Sequence, residues 1–209
     1  MKLVKNYLNL NFNTKFNINF LFLIFLVLAQ SCATRLPTIQ GIKDYSSTEY
    51  ETYLEQKTKK SSVYDGFYNK LTIQTTFVDS DLSDVYNSYQ AKIYQWDEKK
   101  YQEEKNKMIL NHSANTEFFV SFFTPEKKQD NLNSAQTSWK IYLEIAGQRY
   151  EGKVTKIKTD YNNLEVLFPH HNKWSTPYSL TFPVATSTVQ GKNFIITVTG
   201  AMATTQISY

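Results

Sequence analysis

Cys32 is the only cysteine in the 209-residue chain, and its thiol is the side chain with the clearest chemical potential. It follows an apolar run, Phe20–Ala29, and the two residues Gln30 and Ser31. A single cysteine cannot form an internal disulfide bond, and a leftover cysteine in an exported protein is expected to be bonded elsewhere or reactive. Cys32 is therefore either an attachment point or an unpaired thiol.

The residues before Cys32 have the three parts of an export signal. The start is basic, with three lysines and no acidic residue, and the apolar run has the length of a signal core. A membrane-spanning helix needs about 20 apolar residues, and polar residues bound this run on both sides. We expect residues 1–31 to be a signal peptide that is cleaved between Ser31 and Cys32, with an uncleaved anchor as the alternative.

The segment Leu28-Ala29-Gln30-Ser31-Cys32 resembles the lipobox of bacterial lipoproteins. This resemblance implies a diacylglyceryl group on the Cys32 sulfur and acylation of the new N-terminus, so the protein should incorporate palmitate. Ala33 follows the cysteine, which in Gram-negative lipoproteins implies sorting to the outer membrane, facing the periplasm or the cell surface. Cleavage by the general signal peptidase, leaving a thiol, is the alternative.

Removal of the signal peptide changes the charge balance. The whole chain has 23 basic and 19 acidic residues, a formal net charge of +4. Three of the lysines precede Cys32, so 20 basic residues remain against 19 acidic ones and the net charge falls to +1. Nucleic-acid binding needs a concentrated basic surface, so nucleic acid is not an expected partner.

The chain after the signal peptide is expected to hold a tether over residues 32–46 and one globular domain over residues 47–209. Helix-start residues and a short apolar face predict a helix over residues 48–60. Alternation of apolar and polar residues predicts a first strand over residues 70–78. A Tyr/Trp stripe at helical spacing then predicts one long helix over residues 82–108.

Residues 116–209 are predicted to be β-rich, with a tight hairpin at Ala146-Gly147 and a bulge between Val154 and Ile157. Seven strands in these 94 residues are typical of an immunoglobulin-like antiparallel β-sandwich. The predicted fold is thus mainly β (α+β), with a short N-terminal helix and the long helix inserted after the first strand. The predicted strands include 118–123, 139–145, 150–158, 164–168, 178–184, 193–199 and 202–209.

The order of these elements is similar to that of uncharacterised proteobacterial lipoproteins. The likeness is carried by the first helix, Leu71-Thr72-Ile73, the long helix, the Trp139 strand and the terminal strands of Tyr178–Tyr209. It spans about residues 45–209 and implies no activity.

The histidines do not predict a metal site. His170 and His171 follow Pro169 in a predicted turn, and adjacent side chains on an extended chain point apart. We expect an exposed loop there, with a transition-metal contact as the alternative, and a helix-end cation at His112. The sequence contains no nucleophile elbow and no phosphate-binding loop, so neither enzymatic activity nor a cofactor is expected.

Trp174 and Tyr161 are the candidate ligand patch. Both lie in predicted loops beside the sandwich, where exposed aromatic rings could stack on a sugar. Burial of Trp174 in the core is the simpler expectation, and an exposed, coplanar Trp/Tyr pair would favour sugar binding. A hydrolase would need two converging acids, and the available ones are Asp65, Asp79, Asp81, Asp84 and Glu117.

The sequence therefore predicts a lipoprotein with a structural or protein-interaction role in the cell envelope. Its expected partners are the membrane, through lipid on Cys32, and an envelope protein or glycan. A carbohydrate- or peptidoglycan-binding module is the alternative, and a hydrolase is the third hypothesis.

Overall fold

Two antiparallel sheets and the helices that cover one of them form an α+β fold. The structure is a computed structural model that describes Ile39 and residues 42–209. The predicted signal peptide, its cleavage site at Ser31 and Cys32, and most of the predicted tether lie outside the described residues. Among the residues that the structure describes, no helix combines the length and apolarity that crossing a bilayer requires.

The helices in chain order are α1 (Ser47–Lys57), α2 (Ser80–Ile93), α3 (Glu98–Ala114), α4 (Tyr161–Leu167) and the single turn α5 (Thr186–Val189), and a 3-10 turn spans Lys127–Gln129. The strands are β1 (Thr58–Asp65), β2 (Tyr68–Val78), β3 (Thr116–Phe123), β4 (Lys140–Ile145), β5 (Gln148–Glu151), β6 (Lys153–Lys156), β7 (Thr176–Phe182), β8 (Ile195–Thr199) and β9 (Thr204–Ser208).

The five-stranded sheet has the order β1-β2-β3-β7-β6 and the four-stranded sheet the order β5-β4-β8-β9. Every neighbouring pair is antiparallel. The two-sheet antiparallel architecture agrees with the sequence-based expectation, and the predicted first strand joins the sheet beside β3. The strand order does not confirm the immunoglobulin-like topology.

Strand β3 lies at the centre of the five-stranded sheet and is buried on both faces. Because side chains alternate across a strand, Phe118, Val120 and Phe122 enter the main core, to which both sheets contribute. Phe119 points to the opposite face and packs against α1, α2 and α4 in a second apolar cluster. The helices thus cover one face of the larger sheet, and the smaller sheet covers the other.

The predicted long helix over residues 82–108 is wrong, because the structure has two helices there. Helix α2 ends at Ile93, and Gln95 adopts a positive φ of 51°. A left-handed residue just after the last turn is how many helices terminate. Helix α3 then begins after Asp97, whose side chain accepts a hydrogen bond from the backbone N–H of Lys100.

The first helix ends earlier than predicted, and a strand follows it without a loop. Helix α1 stops at Lys57, and Thr58 is already extended. Lys59 and Lys60, which the prediction placed at the helix end, belong to edge strand β1 and pair with Thr75 and Gln74 of β2. Polar residues on both faces suit an edge strand, because charged edges prevent pairing with other chains.

The predicted return strand over residues 150–158 is two strands in different sheets. Strand β5 pairs with β4 in the four-stranded sheet, whereas β6 pairs with β7 in the five-stranded sheet. Gly152 lies between them, at the change of sheet. The bulge predicted between Val154 and Ile157 is wrong, because β6 pairs with β7 in an unbroken register. The Ala146-Gly147 hairpin is confirmed, with positive φ at both residues, as a type I′ turn needs.

The strand predicted over residues 164–168 is wrong, because Leu164 and Leu167 belong to helix α4. Both side chains are buried in the second cluster, on the helical face of the larger sheet. The hydroxyl of Tyr50 donates to the carbonyl oxygen of Leu167 at 2.7 Å, which ties α4 to α1.

Candidate functional site

One end of the five-stranded sheet carries four exposed aromatic side chains, which we call the aromatic end. It consists of Tyr64, Phe67 and Tyr68 in the β1–β2 hairpin and Trp174 just before β7. Strands β2 and β7 both run antiparallel to β3, so the residues that precede them lie at the same end of the sheet. The relative exposure of Phe67 is 108%, and that of Trp174 is 67%.

The hairpin places Phe67 at its apex. Asp65 and Tyr68 are the last paired residues, so Gly66 and Phe67 form a two-residue turn. Gly66 has a φ of 59°, and glycine at the first central position is typical of a type II′ turn. The last register between β2 and β3 pairs Thr72 with Phe123. Phe67 precedes Thr72 by five residues, so at about 3.3 Å per residue the hairpin extends roughly 16 Å beyond β3.

Polar contacts hold the hairpin in place. Lys70 Nζ lies 2.8 Å from Asp65 Oδ2 across the turn. The hydroxyl of Tyr68 donates to Glu126 Oε1 at 3.2 Å, which links the hairpin to the loop after β3. Desolvation and this hydrogen bond raise the pKa of Tyr68, so its hydroxyl stays protonated. The aromatic rings are therefore displayed on a fixed support.

The two residues of the predicted ligand patch are not brought together. Trp174 is exposed, contrary to the expected burial, and Lys173 Nζ lies 5.2 Å from the centre of its indole ring. Tyr161 is half-buried at the start of α4, with its ring 6.1 Å from the ring of His171. Within the described residues, no aromatic pair joins Trp174 to Tyr161.

A pair of near-parallel rings occurs elsewhere, between α2 and α3, formed by exposed Tyr94 and half-buried Trp96. Their centroids are 6.3 Å apart at an interplanar angle of 21°, and Lys100 Nζ lies 5.7 Å from the Trp96 ring. The sequence predicted one continuous helix through both residues. It therefore did not indicate this pair of rings.

The expected exposed loop at His170-His171 is wrong, because both imidazoles lie on the sheet. His171 is buried, with its Nδ1 2.8 Å from Ser121 Oγ, and His170 Nε2 lies 3.0 Å from Thr76 Oγ1. Burial and the neighbouring His171 lower the pKa of His170 to about 4, and burial also lowers the pKa of His171. Two neutral histidines thus attach this loop to the sheet. In the part of the chain that the structure describes, no three His, Cys, Asp or Glu residues are placed to hold a metal ion.

A cavity of about 200 Å³ between α2, α3 and the sheet contains Ser83, His112 and Glu117. Ser83 Oγ lies 3.2 Å from His112 Nε2. Burial lowers the pKa of His112, so it is not the expected helix-end cation. A serine beside a neutral histidine is the pair that nucleophilic catalysis uses. This pair was not predicted, because the two residues lie far apart in the chain.

The surroundings of this pair do not complete a catalytic site. The two oxygens of Glu117 accept hydrogen bonds from Asn111 Nδ2 and Ser179 Oγ, both at 2.8 Å. At the start of α2, the N–H groups of Leu82 and Ser83 both donate to Asp79, so neither is free to hold an oxyanion. Ser83 and His112 therefore serve to connect α2 and α3.

The acids considered for a hydrolase are held by lysine or amide partners, and Asp79 and Asp81 share Lys57. Asp65 pairs with Lys70, Asp84 with Lys105, and buried Asp79 with Lys57. Asp81 Oδ2 lies 4.0 Å from Lys57 Nζ and accepts from Gln190. Helix capping and ion pairing account for these acids.

The chain matches no protein-family model, no curated protein and no solved structure. The aromatic end holds four of the eight large hydrophobic side chains that are exposed among the described residues, and it is the largest group of them at one place in the fold.

Proposed function

We propose that this protein is a lipid-anchored component of the cell envelope that binds another envelope component through its aromatic end. The complete exposure of Phe67 at the apex of the β1–β2 hairpin is the observation that carries this proposal. Three further exposed aromatic side chains lie at the same end of the sheet, and such concentrations of exposed apolar surface mark interaction sites. The lipobox-like segment ending in Cys32 supports membrane attachment.

The chemistry of the aromatic end suits binding rather than catalysis. Tyrosine, tryptophan and phenylalanine are enriched at the centres of interfaces, where one large ring displaces water from a partner surface. Burying an exposed phenylalanine side chain contributes about 1.5–3 kcal/mol. The salt bridge at Asp65 and the hydrogen bond at Tyr68 restrict the hairpin, so little conformational entropy is lost on binding.

The lipid attachment is tested by metabolic labelling with palmitate. We expect the wild type to incorporate label and the Cys32→Ala variant to incorporate none. Cys32→Ser, which keeps a similar size, should behave like Cys32→Ala. If all three proteins label equally, or if the wild type does not label, the lipoprotein proposal is wrong.

Binding through the aromatic end is tested in native envelope membranes. A fluorophore attached at Phe67→Cys should become protected from an aqueous quencher when the protein resides in those membranes. The matched control is Leu110→Cys, because Leu110 has a relative exposure of 70% but lies on α3. Equal quenching at the two positions would contradict the proposal.

Glycan binding is a second candidate, which the exposure of Trp174 favours. An indole face can stack on a sugar ring, and Trp174 presents its ring beside Lys173 on an exposed loop. If the ligand is a glycan, Trp174→Ala should abolish sedimentation with isolated peptidoglycan while Phe67→Ser retains it. Sedimentation that is absent in the wild type removes this candidate.

A further inference from the structure

The charged side chains around the aromatic end differ in whether they form ion pairs. Asp65 is paired with Lys70, and Glu126 accepts a hydrogen bond from Tyr68. The ammonium groups at the rim are different: Lys127, Lys128 and Lys173 are exposed and take part in no ion pair within the described residues. The carboxylates of exposed Glu126 and half-buried Asp130 also take part in no ion pair among the described residues and accept only from hydroxyl groups. Three ammonium groups thus stand beside two carboxylates, and the border of the aromatic end keeps a small excess of positive charge.

The shape of the aromatic end is convex. The hairpin projects beyond β3 and carries the fully exposed ring of Phe67 at its apex. This ring is buried only if the apex of the hairpin inserts into a partner surface that is deformable or concave. The boundary between head groups and acyl chains of a bilayer accepts apolar side chains to a depth of about 5–10 Å.

The composition of the aromatic end matches the chemistry of that boundary. Tyrosine and tryptophan favour the head-group level, where their rings are in contact with lipid and their polar atoms with water. Phenylalanine has no polar atom and can go deeper. Lysine side chains near a membrane surface are attracted to anionic lipids, by about 1 kcal/mol for each residue.

We propose that the aromatic end docks onto an anionic lipid bilayer, with Phe67 below the head groups and Lys127, Lys128 and Lys173 against their phosphates. Tyr64, Tyr68 and Trp174 then lie at the head-group level. This proposal rests on the proposed function and names the bilayer as the envelope component that is bound. A lipid on Cys32 attaches the chain to the bilayer at one point, and docking of the aromatic end adds a second point of contact.

The test uses the full-length protein, purified in detergent and reconstituted into vesicles that contain anionic phosphatidylglycerol. An environment-sensitive fluorophore is attached at Phe67→Cys or, as the control, at Leu110→Cys. We expect the label at position 67 to shift to the blue and to be quenched at least twofold by nitroxide-bearing lipids. The label at position 110 should show neither effect. The mass of the purified protein reports independently whether Cys32 carries lipid.

Two further variants test the roles of the individual side chains. With the fluorophore at Trp174→Cys, adding Phe67→Ser should remove most of the blue shift, because Phe67 drives insertion. Lys127→Glu combined with Lys128→Glu should weaken quenching at position 67 in anionic vesicles more than in vesicles of phosphatidylcholine alone.

The results of these experiments distinguish the proposed function from the bilayer proposal. Equal behaviour at positions 67 and 110 in vesicles overturns the bilayer proposal. If position 67 is protected in native envelope membranes but stays aqueous in pure lipid vesicles, the partner is a protein or glycan, and only the proposed function stands. If position 67 is exposed in both, both proposals are wrong.

Discussion

The backbone N–H of Trp96 donates to the carbonyl oxygen of Ala91 at 2.9 Å, which closes the C-terminus of α2. This hydrogen bond spans five residues and is the outer bond of a Schellman motif. Gln95 lies within it at a φ of 51°, a position where glycine is favoured because it has no Cβ. Helix α2 is therefore terminated by Gln95, whose side chain is disfavoured at a positive φ.

Gln95→Gly is expected to raise the free energy of unfolding by roughly 0.5–1 kcal/mol, because it removes the strain of a left-handed side-chain residue. Urea unfolding curves measure the change. The matched control is Gln102→Gly in the middle of α3, where the same substitution should lower stability by about 1 kcal/mol. Loss of stability in both variants would contradict the capping role of Gln95.

The same residue explains why the sequence predicts one helix where there are two. Glycine or proline would have marked the end of α2, but Gln95 is an ordinary helix former and the Tyr/Trp stripe continues through it. The Asp79 cap of α2 was predictable because aspartate before an apolar stripe is a standard start signal. The start of α2 was therefore easier to predict than its end, whereas the start of α3 at Asp97 was missed along with that end.

Gly152 lies where the chain crosses between sheets, and a Cβ at this position would lie 2.5 Å from Leu180 Cδ1. Its backbone N–H still donates to the carbonyl oxygen of Ile141 at 2.8 Å. Gly152→Ala should lower the free energy of unfolding by about 1–3 kcal/mol, because Leu180 is fully buried and must move. Chemical unfolding of the variant checks the value, with exposed Lys153→Ala as the control.

A double-mutant cycle tests whether the contact with Leu180 is the cause. In a Leu180→Ala background, Gly152→Ala should cost clearly less than it does alone, because the space at Leu180 Cδ1 is empty. An unchanged cost would show that the other close contact, 2.9 Å between a Cβ at this position and Phe182 Cε1, is responsible.

Alternation of apolar and polar residues was sufficient to predict β2, β4 and β7, because each buries one face. It failed at Leu164 and Leu167, since a short apolar run fits a strand or a buried helix equally well. It also missed β1, whose polar lysines lie on an exposed sheet edge. The aromatic end was only partly visible: Trp174 was singled out, but only the strand pairing places it near Phe67.

Asp79 and Asp97 are both N-caps, but only Asp79 is also buried and paired with Lys57. Asp97→Ala should lower stability by about 1 kcal/mol, the usual loss for a cap. Asp79→Ala should lower it by about 2–4 kcal/mol, because the Lys57 ammonium also loses its closer partner and keeps only Asp81 at 4.0 Å. Thermal and urea unfolding of the two variants provide the comparison, and equal losses would show that the ion pair contributes nothing.

Because His170 is neutral in the folded protein, we expect the free energy of unfolding to fall in mild acid. The pKa of His170 is lowered to about 4 in the folded state, whereas an unfolded histidine titrates near 6.5. Between these values the unfolded chain binds more protons, so stability is complete above about pH 6.5 and falls as the pH drops towards 4. The contribution of His170 alone should be about 2 kcal/mol between pH 7.5 and pH 5.

His170→Gln isolates this contribution, because the amide can still bond Thr76 but carries no titratable proton. Carboxylates that titrate near pH 4–5 affect both proteins equally, so only the difference between wild type and variant is compared. The wild type should lose about 2 kcal/mol more than the variant when the free energy of unfolding is measured at pH 7.5 and pH 5. Parallel stability curves for the two proteins would show that His170 is not held neutral by its burial against Phe119 and the sheet.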